Sequence, residues 1–175
     1  SKYNPNVVTR IHAGNGALLA EHAIQKRVFV PINVIPKKVI NAFISAEDKR
    51  FYSHMGVDVL GVMQAIFDKI RKPDSKLRGA STITQQVAKS VLVAYESYES
   101  ATERSLVRKI REAILAFRLE AVLTKDKILY MYVNEIFLGH KAYGVQAAAE
   151  HYFRKNVWEL SLAEMATFAG LPQRP

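Results

Sequence analysis

The sequence predicts a mainly α domain with a short extended hairpin lead-in, and three observations carry that prediction. Apolar residues take up helical spacing from Pro36 onward, Thr82/Gln85 and Ser161/Glu164 have the spacing of helix-capping pairs, and Asn15-Gly16 offers a hairpin turn ahead of both. At 175 residues the chain is expected to form one domain, folding with roughly 70% of its surface buried and so needing no covalent staple. With no cysteine it can use neither thiol catalysis nor thiolate metal sites, and its five histidines show no metal-like spacing beside a helical Glu. No stretch reaches the ~18 to 20 apolar residues of a membrane span.

The elements follow in order. Val7, Val8 and Ile11, then Leu18 and Leu19, then Val28, Phe29 and Val30 flank the Asn15-Gly16 turn and read as extended. Pro36 can open a helix, with Ile40, Phe43, Ile44, Glu47 and Phe51 on one stripe at i, i+3, i+4, i+7 and i+11. Further helices are predicted over 57–71, 82–95, 103–123, 125–138, 144–153 and 161–169, the last closed by Gly170 and Pro172. Segments 71–79 and 96–102 read as polar loops, and no internal repeat suggests a solenoid.

Four groups of residues suggest chemistry. Glu47 occupies an apolar position of its stripe, where partial burial disfavours the ionised form and suits proton transfer, while the neighbouring Asp48 can stay ionised; a buried structural Glu is the bland reading. Glu112 lies among Arg104, Arg108, Lys109 and Arg111, more cations than one helical ion pair with Arg108 requires, and the surplus could hold a diphosphate. Ser81 and Thr82 open a helix whose first turns carry Gln85, Gln86 and Lys89, which is either an anion site or a routine cap. Across 57–78, Leu60, Val62, Met63, Ile66, Phe67 and Ile70 mix with Lys69, Arg71, Lys72, Lys76 and Arg78, a composition suited to an anionic bilayer surface or to a core-facing helix with a solvated back. The net charge of +9 points to a polyanionic partner without choosing one.

Read together, four strings resemble in order the signature motifs of glycosyltransferase family 51, the peptidoglycan glycosyltransferases. They are EDKRFYSHMG from Glu47, GASTITQQVAK from Gly79, RKIRE from Arg108 and KILYMYVN from Lys127. The likeness continues through Ala142-Tyr143-Gly144-Val145, Ala163-Glu164 and Leu171-Pro172, and residues 10–36 look like the lead-in of bifunctional class A penicillin-binding proteins. The resemblance implies a lysozyme-like helical fold on the outer face of the bacterial cytoplasmic membrane. Its reaction would polymerise lipid II into β-1,4 glycan by inverting transfer, releasing undecaprenyl diphosphate. Glu47 would be the catalytic base and Glu112 the second catalytic carboxylate, organising the cations. Lys89, Arg104, Arg108 and Lys109 would meet the diphosphate, with Asp48, Phe51, His54, Ser81, Thr82, Gln85, Gln86 and Asn134 also binding substrate. No cofactor is required by the resemblance, although Mg2+ could stimulate; partners are lipid II, the growing glycan strand, the membrane surface through about 57–78 and moenomycin-type inhibitors, with no nucleic acid.

Ser90 stands where this family usually has Asn, Lys141 and Arg154 stand where Gly is common, and the loop over 95–103 is longer than usual. The family's fifth motif would lie beyond Pro175. Two other readings compete. A lysozyme-like hydrolase or lytic transglycosylase would also use a helical Glu, but cleaving an uncharged glycosidic bond needs no cation cluster. A basic module binding nucleic acid or anionic lipid would leave Glu47 on its apolar stripe unexplained.

Overall fold

A computed structural model of the chain describes residues 9–12, 18–22, 26–72, 81–95 and 106–173. The Asn15-Gly16 turn, Val7, Val8, Arg78, Arg104 and most of the loops predicted over 71–79 and 95–103 lie outside the described residues. The chain divides into two compact units, Ile40–Tyr132 and Ser1–Val39 with Val133–Pro175.

The central unit contains most of α1 (Lys37–Glu47), then α2 (Val59–Arg71), α3 (Ile83–Tyr95), α4 (Leu106–Val122) and most of α5 (Lys125–Glu135). Helix α1 ends at Glu47, one turn short of its predicted stripe. Beyond it the chain turns, with the Phe51 N–H donating to the Asp48 carbonyl at 3.0 Å, and Phe51 reaches the core from that turn. Its burial is worth about 2 kcal/mol. Phe43, Ile44, Phe51, Ile83, Val87, Ala116, Ile128, Leu129 and Tyr132 form the core here, and α3 packs against α4.

Two features fix the turn between α1 and α2. Gly56 has φ +92°, and a Cβ there would fall 2.8 Å from the carbonyl carbon and oxygen of Ala116, so the backbone fits against α4 only without a side chain. Asp58 caps α2 by accepting from the Gly61 N–H at 2.9 Å, and its carboxylate is also held by Arg50 Nε at 2.9 Å. At the start of α3 the expected capping pair is present. The Thr82 N–H donates to Gln85 Oε1 and the Gln85 N–H to Thr82 Oγ1, both at 3.0 Å.

In the other unit, β1 (Thr9–His12) pairs antiparallel with β2 (Leu18–His22), as the predicted hairpin requires. A short β3 (Lys26–Arg27) pairs in parallel with β4 (Ala142–Tyr143), whereas Val28 to Val30 are not strand. Helices α6 (Val145–Phe153) and α7 (Leu162–Gly170) follow, α7 opened by the Ser161/Glu164 box, and Phe153 stacks on Phe168 with centroids 5.3 Å apart. Gln146, which is buried, ties α6 to the next turn by accepting from the Val157 N–H and donating to Asn156 Oδ1. Lys141 and Arg154 both take left-handed backbone, at φ +62° and +56°. With His140 at φ +45°, they are the three non-glycine residues among those described where glycine would be the relaxed choice.

Candidate active site

Helix α3 gathers the functional groups of the central unit at its N-terminal end. Glu47 closes α1 half-buried, and Oε2 of its carboxylate accepts from Gln86 Nε2 at 2.8 Å. Five residues earlier, Ser81 Oγ accepts from Lys109 Nζ at 3.0 Å. Ser81 lies just before α3 and Gln86 within its first turns, so one helix start carries a carboxylate contact and a cation contact.

Glu112 is 1% exposed and spends both oxygens on cations: Oε2 meets Lys109 Nζ at 2.7 Å and Oε1 meets Arg108 Nε at 3.1 Å. Glu112 thus holds two cations of its own helix. Lys109 bridges from that buried carboxylate to Ser81, and Lys89 is exposed on α3. Such preorganised cations are what a departing diphosphate requires, because its charge rises in the transition state.

Other expected substrate residues build the frame. Asp48 is buried, accepts from the Ile83 N–H at 3.0 Å, and lies 3.0 Å from His54 Nε2 through both oxygens. His54 Nδ1 accepts from the Gly56 N–H, which leaves Nε2 as the N–H donor to Asp48. Phe51, Thr82 and Gln85 are also buried, Thr82 donating to the Gly56 carbonyl. These side chains hold the α1–α2 turn against α3. Asn134, also expected to bind substrate, is 1% exposed in the other unit, where Oδ1 accepts from the Val30 N–H at 2.8 Å and Nδ2 donates to the Val30 carbonyl at 3.0 Å. Its amide replaces a strand partner. Arg104 lies outside the described residues.

One cluster escaped sequence reasoning. Lys125 Nζ donates to the His54 carbonyl and to Glu120 Oε1, both at 2.7 Å, and sits 4.4 Å from the Phe51 ring centroid, while Thr84 Oγ1 donates to the same Glu120 oxygen. It clamps the turn carrying Asp48 and His54. A lysine at the first turn of a helix gives no sign in the sequence of reaching a carbonyl 71 residues away. Among the described residues no group of three or more His, Asp and Glu could hold a metal ion.

The transglycosylase family model matches residues 15–175. The chain belongs to that family of peptidoglycan glycosyltransferases. This transglycosylase is 49% identical over 177 residues to penicillin-binding protein 1A of Rickettsia felis, covering 100% of this chain and 22% of that protein. Against penicillin-binding protein 1A of Neisseria flavescens the identity is 46% over 173 residues, covering 99% and 21%. The transglycosylase thus spans about a fifth of the length of these relatives. The crystal structure of penicillin-binding protein 1A from Haemophilus influenzae aligns with 99% of this chain and 15% of that one, at 24% identity and TM-score 0.46.

Proposed function

We propose that this transglycosylase polymerises lipid II into β-1,4 glycan strands on the outer face of the bacterial cytoplasmic membrane. The observation that carries the reading is the convergence at α3 of a half-buried carboxylate and a carboxylate-organised cation pair. Glu47 accepts the proton of the acceptor GlcNAc 4-hydroxyl as its oxygen attacks the anomeric carbon of the donor MurNAc. The bond to the α-diphosphate breaks, its electron pair leaves with undecaprenyl diphosphate, and the configuration inverts. Lys109 and Arg108, with Lys89 and Arg104, stabilise that leaving charge. Asp48, Phe51, His54, Thr82 and Gln85 act through the frame, and Ser81 and Gln86 face the substrate.

The reading assigns no resident cofactor. Mg2+ would act as a stimulant on the diphosphate, and moenomycin-type donor mimics would compete at the cations. The membrane contact rests on α2, which has no buried residue and exposes Leu60, Met63, Phe67 and Ile70 beside Lys69, Arg71 and Lys72. Nothing among the described residues is long and apolar enough to cross a membrane. A cation cluster held by a buried Glu gives the lytic alternative nothing to explain it.

The test is incubation of the chain and its Glu47→Gln variant with labelled lipid II in liposomes, resolving polymer from monomer on a gel. The parent should make polymer, and the variant should lose about 10²- to 10⁴-fold in rate while still binding a donor mimic. A variant that polymerises normally removes Glu47 as base, and a parent that binds neither lipid II nor the mimic removes the function.

A further inference from the structure

Among the described residues four buried side-chain atoms make no hydrogen bond: Glu47 Oε1, Tyr132 Oη, Arg108 Nε and Glu112 Oε1. The last two face one another as an ion pair at 3.1 Å. That leaves one acceptor and one donor, and they share a neighbourhood. The Tyr132 ring packs edge-on against Phe43, centroids 5.8 Å apart, and Phe43 lies one helical turn before Glu47 on the same stripe of α1. Tyr132 is 2% exposed. Buried polar atoms without partners are rare enough that two complementary ones close together call for a common explanation.

We propose that the Tyr132 hydroxyl serves Glu47 Oε1 through one bridging water, and that Tyr132 is a positioning residue for the base. Gln86 holds Oε2 and Tyr132 holds Oε1, so the carboxylate plane is fixed at both ends. Because Oε1 is shut off from solvent while Glu47 as a whole is half-buried, the incoming hydroxyl meets Oε2. Burial first, then the charges of Glu47 and Asp48, push the Tyr132 phenol well above its ordinary range, so it remains a donor at every working pH. Asp48 does not compete for it, being already engaged by His54 and the Ile83 N–H.

The inference rests on Glu47 being the base, so its test reads the carboxylate itself as well as turnover. Carbon-13 carboxyl titration of Glu47 by NMR, without substrate, compares the parent with Tyr132→Phe. A hydrogen bond favours the charged form, so its removal should raise the Glu47 midpoint by about one pH unit and move the acid limb of the lipid II rate profile equally. A fold problem in the phenylalanine variant is met by fluorinating the Tyr132 ring, which strengthens the donor and should lower the midpoint. An unmoved midpoint in either well-folded variant overturns the inference, even if overall rate falls. A shifted midpoint in a chain that makes no polymer keeps the Tyr132 contact and rejects the proposed function instead.

Discussion

Lys109 touches two groups of different character, a buried carboxylate and an exposed hydroxyl, and its own side chain is 49% exposed. Removing its charge leaves Glu112 Oε1 paired with Arg108 but deprives the buried Oε2 of its Lys109 partner, so the fold should lose part of its stability without collapsing. Lys109→Met should cost about 1 to 3 kcal/mol of stability, the range for a buried acceptor left without its partner, and slow polymerisation about 10²- to 10³-fold through the lost leaving-group stabilisation. Thermal unfolding and initial rates on lipid II check the two halves separately. A large drop in melting temperature with an unchanged rate would make Lys109 a structural residue. The Arg108–Glu112 pair was legible in the sequence from its i, i+4 spacing, and Lys109 of the same basic run joins it, while Arg104 lies outside the described residues. The backbone pairing of Asn134 was not legible, since a motif position gives no sign that an amide meets the Val30 N–H and carbonyl.

Helices were legible wherever an apolar period and a cap coincided, as at α3 and α7, where the Thr82/Gln85 and Ser161/Glu164 boxes set the starts. The stop of α1 was not, because the stripe runs on to Phe51 while the chain has already turned to let Asp48 accept from Ile83. Long-range hydrogen bonds overrode the local period. Lys141 and Arg154 were noticed as departures from glycine, and their positive φ explains why they matter. Lys141→Gly and Arg154→Gly should each relieve about 1 kcal/mol of left-handed strain, partly offset by the freer unfolded chain, raising the melting temperature without changing the polymerisation rate. Helix α2 yields a pH prediction. Burial opposes charge on Asp58, but the Gly61 N–H and Arg50 outweigh it and hold the carboxyl below its ordinary value of 3.8. A lowered folded value means the cap's contribution is full above the unfolded value and is lost as pH falls through the folded one. The stability gap between the parent and Asp58→Ala, about 1 kcal/mol at neutral pH, should therefore close below pH 3.8, as read from urea unfolding across pH.

For the molecule as a whole, the +9 charge and the exposed apolar side chains point in one direction only when taken together. Charge alone would suit any polyanion, and exposed apolar residues alone would suit a protein partner. In the central unit, α2 exposes Leu60, Met63, Phe67 and Ile70, and α4 exposes Val107, Ile110, Ile114 and Phe117 on a face that also carries Arg111 and Arg118. The close approach of Gly56 to Ala116 and Phe117 brings the turn leading into α2 against α4. The lipid-linked substrate proposed above would be met at the bilayer, where apolar groups insert and cations face anionic headgroups. Flotation with vesicles containing anionic phospholipid should therefore recover the chain, and binding should weaken as salt rises without vanishing, because insertion is insensitive to screening. Phe67→Asp with Ile70→Asp should lower vesicle binding about tenfold or more while leaving unfolding unchanged, since both side chains are exposed. Polymerisation of lipid II should then fall in liposomes and persist in detergent. Equal loss in both media would place the defect in the site rather than at the membrane, and unchanged flotation would remove α2 as the contact.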